Sequence, residues 1–211
     1  LADVLSAIPC VDFFTQEISV ERDGVLMDTQ ANALMAIDYL AQKGCERLII
    51  LNPDESNSSH HLTAQAALHE GKTRGWEVEL YQIPKAKSLS TVFPSTIDPA
   101  RKTGLFIAGY TDENRPEVVA EALQQAGLTP ARGVEVIAMT SKTAGVFHAC
   151  CYNSMSRLGR ICAEQLVWRI GHPGAETRRI LVKPKLVTEG HASRCGQKQP
   201  DGSAANKLAV E

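Results

Sequence analysis

Residues 24–51, GVLMDTQANALMAIDYLAQKGCERLIIL, restrict the possible folds more than any other part of the chain. An apolar run at 25–27 ends at Asp28. Asp28 or Thr29 can then cap a helix by accepting a hydrogen bond from a first-turn N–H that has no intrahelical partner. Ala33, Leu34, Ile37, Leu40 and Ala41 recur at three- and four-residue spacing and draw one apolar stripe along that helix. Gly44 follows, where a left-handed C-terminal turn favours glycine. Four consecutive apolar residues at 48–51 suit a strand covered on both faces. Strand, helix and strand in this order form a parallel crossover unit, the building block of an α/β fold.

The rest of the chain continues the alternation. A strand is predicted at 8–11, ending at Asp12, and a polar connection at 15–23. A turn-rich loop spans 52–60, NPDESNSSH, and a helix is predicted from about 62 to 74. WEVELYQI at 76–83 alternates apolar and polar residues as a strand does. Residues 84–103 carry three prolines and read as a long loop or a short helix. Strands are predicted at 104–109, 134–139 and 146–152, with a helix at 116–125 that Pro116 can start without losing a hydrogen bond. Ser154 caps a long helix to about Ile170, with Leu158, Ile161, Cys162, Gln165, Leu166 and Ile170 along one side. Short strands at 180–182 and 186–187 follow, and after Cys195 the composition predicts a disordered tail.

Several function classes are excluded at this level. A formal charge of −2 argues against a polyanion grip by this segment itself. No run approaches the roughly 18 apolar residues of a membrane helix, and LADVLSAIPCVDFF has no basic start of the secretory kind. The six cysteines contain no C-x-x-C pair, so reduced, mostly buried thiols in a cytoplasmic protein are expected. His60 and His61 lack partners at ligand spacing, and a loop or helix start is expected there; neither a metal nor another cofactor is assigned.

In mainly parallel sheets, small ligands bind beyond the carboxyl ends of the strands. That rule selects Asp12, Asp28, Asn52 to Ser56, Tyr110 to Asn114, and Thr140 to Lys142, loops rich in the carboxylates, amides and hydroxyls that recognise a polar small molecule. Each residue could instead merely cap the helix that follows it. No G-x-S-x-G elbow, Walker A loop, G-x-G-x-x-G after a strand or H-E-x-x-H is present. Asp112 and Glu113 are adjacent and diverge, which suits them poorly to a shared reacting centre. Binding without turnover is expected, so the chain is read as no enzyme.

VLMDTQANALMAIDYLAQKGCERLIIL resembles the segment of lactose- and galactose-repressor-type (LacI/GalR) regulators in which V-x-x-D opens a helix. PEVVAEALQQAGLTPARGVEVIAM, SRLGRICAEQLVWRIGHP, ILVKPKLVTEGHAS and IPCVDFF are similar to further stretches of that family, in the same order, over about residues 5–194. The resemblance implies a periplasmic-binding-protein-like type I fold, α/β, with two Rossmann-like lobes, parallel sheets and a truncated N-terminal lobe. Residues 1–43 and 153–171 would form that lobe, 44–152 and 172–194 the C-terminal lobe, and 195–211 the tail. It further implies a dimerising domain that senses a small polar effector, a sugar or related metabolite, between the lobes. Hinge closure would couple to operator DNA only through a headpiece that precedes these residues. The strand-end rule and the resemblance together make Asp12, Asp28, Asn52, His61, Tyr110, Asp112, Glu113 and Thr140 the expected effector-binding residues. The family's Asn-Asp pair falls on Asp112 and Glu113, and the aspartate closing its V-i-G-f-D strand falls on Thr140. Its sugar-gripping arginine has no clear counterpart, and His60, His61 or Thr63 occupies that region. A solute-binding receptor of the same fold, or an interaction domain without a ligand, would share these features.

Overall fold

The computed structural model describes residues 8–13, 22–52, 54, 56–82, 101–109, 111, 115–128, 133–140 and 146–188. In chain order the elements are β1 (Val11–Phe13), β2 (Asp23–Met27), α1 (Thr29–Gln42), β3 (Arg47–Asn52), α2 (Ser58–Thr73), β4 (Glu77–Gln82), β5 (Thr103–Ile107), α3 (Pro116–Gln125), β6 (Val134–Ala138), β7 (Ala149–Tyr152), α4 (Met155–Gly171), β8 (Arg179–Val182) and β9 (Lys185–Thr188). Two sheets result. The smaller has the order β1-β2-β8 and is parallel throughout. The larger has the order β4-β3-β5-β6-β7-β9, parallel except for β9, which closes the edge antiparallel to β7.

Strand β3 lies between β4 and β5 in the larger sheet, and all six of its residues are buried. Side chains alternate across a strand. Leu48 and Ile50 accordingly meet α1 and α2 on one face, while Ile49 and Leu51 meet α3 on the other. On the first face α1 contributes Ala33, Ala36, Ile37, Tyr39 and Leu40, and α2 contributes Ala64 and Ala67. Tyr39 also donates its hydroxyl hydrogen to the Glu135 carboxylate, tying α1 to β6.

Around the smaller sheet, Val11, Phe13, Val25, Met27, Ile180 and Val182 pack against Leu158, Ile161 and Cys162 of α4. Its anchor is Asp23, whose side chain is fully buried. The carboxylate accepts hydrogen bonds from Arg169 Nε (2.8 Å) and Nη2 (2.7 Å), from Gln165 Nε2 (2.8 Å) and from the Arg178 backbone N–H (2.7 Å). The Arg169 guanidinium first, then the Gln165 and Arg178 donors, hold the Asp23 carboxyl at about 2 against the opposing effect of burial. Arg169 also donates to the backbone oxygens of His172, Ala175 and Glu176, which ties down the link from α4 to β8. Trp168 there meets the Arg178 guanidinium, 3.4 Å from its ring centroid, and stacks with the His172 ring.

The structure departs from several expectations. Helix α1, predicted with the smaller lobe, packs on the larger sheet, and β8, predicted with the larger, pairs with β2. An apolar stripe says that a helix face is covered, not by which sheet. The first strand pairs from Val11 onward, which leaves Ile8 and Pro9 exposed; Pro9 has no N–H to give to a ladder. Ile170, predicted inward, is 60% exposed, because the covered side of α4 is carried by Leu158 and Gln165. Helix α2 starts at Ser58 rather than near 62. The stretches 83–100 and 189–211, including the predicted tail, lie outside the described residues. No helix among the described residues is long and apolar enough to cross a membrane.

A carboxyl depressed in the folded chain stabilises above its unfolded pKa and loses that contribution as pH falls toward its folded value. For Asp23 the window runs from about pH 4 down to about pH 2, and the contribution is on the order of 2 kcal/mol. Asp23→Asn should therefore lower stability at pH 7 by that order in denaturant unfolding. It should also flatten the acid limb of the stability–pH curve.

Candidate functional site

Three short crossovers join the two sheets, and they meet at one place. Asp28 is the single residue between β2 of the smaller sheet and α1 on the larger. Asn153 and Ser154 lead from β7 to α4, and Lys183 and Pro184 lead from β8 to β9. Asp28 caps α1 by accepting from Ala31 N (2.8 Å), and its own N–H donates to Val182 O (3.1 Å). Asn32, fully buried in the first turn of α1, donates from Nδ2 to Asp28 O (3.0 Å) and accepts at Oδ1 from Asn153 Nδ2 (3.0 Å). The Cys151 thiol lies 3.6 Å from Asn32 O. Because α1 begins where β2 ends, and its first turn touches the end of β7, the carboxyl edges of both sheets face the same seam.

On the larger sheet that edge carries Asn52, Gln82, Gly109 and Thr140. Register places them together: Asn52 pairs with Gln82, Leu51 with Ile107, and Ile107 with Ala138. Helix α2 starts over this edge. Asn57 caps it by accepting from Ser59 N (3.0 Å) and His60 N (3.2 Å). The His60 ring lies directly against Gly109, where an added Cβ would stand 2.5 Å from the ring Cγ and Nδ1. A side chain at 109 would thus evict the imidazole, so glycine here serves close approach. Burial pushes the His60 pKa below its ordinary 6.5, although the charge of Asp54 opposes this. Burial thus favours the neutral form of His60.

Around this edge several buried polar atoms have no hydrogen-bond partner among the described residues. They are both amide atoms of Asn52, Ser59 Oγ, Thr63 Oγ1, His60 Nδ1 and Gln82 Oε1, with His61 Nδ1 and Asn153 Oδ1 in the same condition. Asn52 and Thr63 are fully buried, and Ser59 is 5% exposed. Native proteins seldom leave such groups unmet, since each costs about 1–3 kcal/mol. A group that meets them from outside the chain would gain that much per contact.

Of the residues predicted for the site, the structure brings Asp28, Asn52, His61 and Thr140 to the crossovers or to the carboxyl edge of the larger sheet. Asp12 lies within β1, not beyond its end; it faces away from the side carrying Val11 and Phe13, with Arg22 3.9 Å from its carboxylate. Tyr110, Asp112 and Glu113 lie outside the described residues. Ser59 and Gln82 were not selected from the sequence as site residues, and His60 and Thr63 were marked only as standing in the region of the family's sugar-gripping arginine. The available signal was the four-residue spacing of Ser59, Thr63, Ala67 and Gly71, a row of small residues that marks the inward face of α2.

The solved structures that this fold matches include a periplasmic binding protein/LacI transcriptional regulator from Alkaliphilus metalliredigens complexed with D-xylulofuranose. That structure is 18% identical over 85% of this chain and 69% of its own, with a TM-score of 0.64. A LacI family regulator from Enterococcus faecalis with bound ribose is 17% identical over 87% and 68%, at 0.67. A LacI family regulatory protein from Chloroflexus aggregans is 20% identical over 88% and 69%, at 0.69. At these identities the likeness is one of fold: the chain has the two-lobed, periplasmic-binding-protein-like type I architecture. No protein-family profile matches the sequence, and no curated protein matches it.

Gly109→Ala tests the contact between His60 and the sheet edge. It should cost on the order of 1–3 kcal/mol through overpacking. In proton NMR the wild-type His60 imidazole should titrate below 6.5, and in the variant, with the ring displaced into solvent, it should return to the ordinary range.

Proposed function

We propose that this chain is the effector-sensing domain of a bacterial, cytoplasmic transcriptional regulator of the lactose/galactose-repressor type. A small polar molecule, a sugar or related metabolite, binds at the seam between the two sheets. Each sheet with its helices is one lobe, and the three crossovers form the hinge. A ligand that touches both carboxyl edges binds the closed arrangement better than the open one, and this unequal affinity shifts the population toward closure. In a homodimer the shift alters how two DNA-binding headpieces, outside these residues, are presented to an operator.

The observation that carries this reading is the meeting of both carboxyl edges at the crossovers, lined by buried polar atoms with no partner among the described residues. Asp28 lies on the hinge itself, and Asn52, His61 and Thr140 lie on the opposite edge. Tyr110, Asp112 and Glu113, between β5 and α3, complete the set. Solved structures of the same fold hold ribose and D-xylulofuranose, which makes pentoses the first compounds to try.

Thermal unfolding in the presence of pentoses, hexoses and polyols tests the proposal. A ligand at a hundred times its dissociation constant adds roughly 2.7 kcal/mol, several degrees for a chain of this length. Asparagine caps a helix as well as aspartate does, so Asp28→Asn should keep the fold and lose most of the shift. No shift with any compound, or a full shift in Asp28→Asn, would count against a sensor built on this seam.

A further inference from the structure

We propose that the first two turns of α2 and the end of β3 form an uncharged subsite made by Asn52, Ser59, Thr63 and Gln82, with His60 beside it. It takes a ligand end that both donates and accepts hydrogen bonds, a hydroxyl or a carboxamide, and rejects a phosphate or carboxylate. This rests on the effector reading above and assigns the part of the ligand that faces the larger sheet.

The placement follows from register. Gly71 of α2 sits over Leu48 and Val78, where an added Cβ would stand 3.0 Å and 2.9 Å from their side chains. From Gly71 back to Thr63 is eight residues, about 12 Å at the helical rise. From Leu48 on to Asn52 is four residues, about 13 Å at the strand rise. Thr63 therefore arrives over Asn52, and Ser59 lies one turn beyond. Asn52 shares its face with Leu48 and Ile50, the face that α2 covers. Gln82, its register partner on β4, points the same way, as Val78 and Leu80 do. His60 on Gly109 closes the side toward β5.

The chemistry follows from the atoms. Asn52, Ser59 and Thr63 can each donate and accept, Gln82 offers an unmet amide oxygen, and His60 offers one ring nitrogen in either role. None of these five side chains carries a formal charge. The amide hydrogens of Ser59 and His60, which could otherwise hold an anion, are already given to Asn57 Oδ1. An anion would lose its hydration with no cation among these five side chains to replace it, whereas a hydroxyl would exchange water for matched partners.

Two measurements test this on the whole chain. Without ligand, Thr63→Val and Ser59→Ala remove unmet hydroxyls at little change of shape, so their melting temperatures should equal or exceed the wild type's. A drop of several degrees would show the hydroxyls bonded within the fold and would overturn the subsite. With ligand, D-ribose, D-ribose 5-phosphate and D-ribonate are compared by calorimetric titration. Ribose should bind the wild type and bind Thr63→Val at least tenfold more weakly, and the two anions should bind neither. Ribose binding unchanged in Thr63→Val, or an anion binding as tightly as ribose, overturns the subsite while leaving an Asp28-dependent sensor standing. A wild type that binds none of the three overturns the subsite, and the effector reading falls with it only where no pentose, hexose or polyol shifts the melting temperature either.

Discussion

The architecture depends on how little chain separates the two sheets. One residue, Asp28, stands between a strand of the smaller sheet and a helix packed on the larger, and Asn32, one turn later, binds the crossovers on either side of it. With both ends of its buried carboxamide engaged, Asn32 fixes where β2 leaves one sheet and β7 leaves the other. The Asp28 N–H reaches Val182 O and brings in the third crossover. Parallel strands run into these connections, so the ends at which α/β sheets bind ligands are the ends that the crossovers hold together.

Elsewhere the two halves are secured by separate means. The larger sheet is a buried parallel core whose strand residues alternate between α1 and α2 on one face and α3 on the other. Among the described residues the smaller sheet has three strands and a modest apolar cluster. There the buried Asp23, bound by Arg169, Gln165 and Arg178, joins the start of β2 to the end of α4 and the approach to β8. Each half thus has its own packed cluster, and Asp28, Asn153 with Ser154, and Lys183 with Pro184 are the short links between them.

The sequence alone disclosed the parallel crossover unit at 24–51, the caps at Asp28 and Ser154 and the ends of most strands, because those signals are local. It did not disclose which sheet covers α1, since a stripe records burial and not its partner. It missed the start of α2, because Ser58, Ser59, His60 and His61 are indifferent helix formers and the Asn57 cap that holds them looks like one more loop residue. Asp28, Asn52, His61 and Thr140 were legible as the ends of strands or the starts of helices. The unmet hydroxyls of Ser59 and Thr63 were not, because whether a polar side chain finds a partner depends on what folding sets beside it.

Amide chemical-shift mapping in two-dimensional NMR, with D-ribose added stepwise, tests the central claim most directly. The account predicts perturbations that cluster at Asp28, Asn52, Ser59 to Thr63, Gly109 and Thr140, with smaller ones at Asn32 and Asn153 where the crossovers adjust. Perturbations confined to the exposed face of α4, or a saturated spectrum with the seam residues unmoved, would contradict a ligand site between the two sheets.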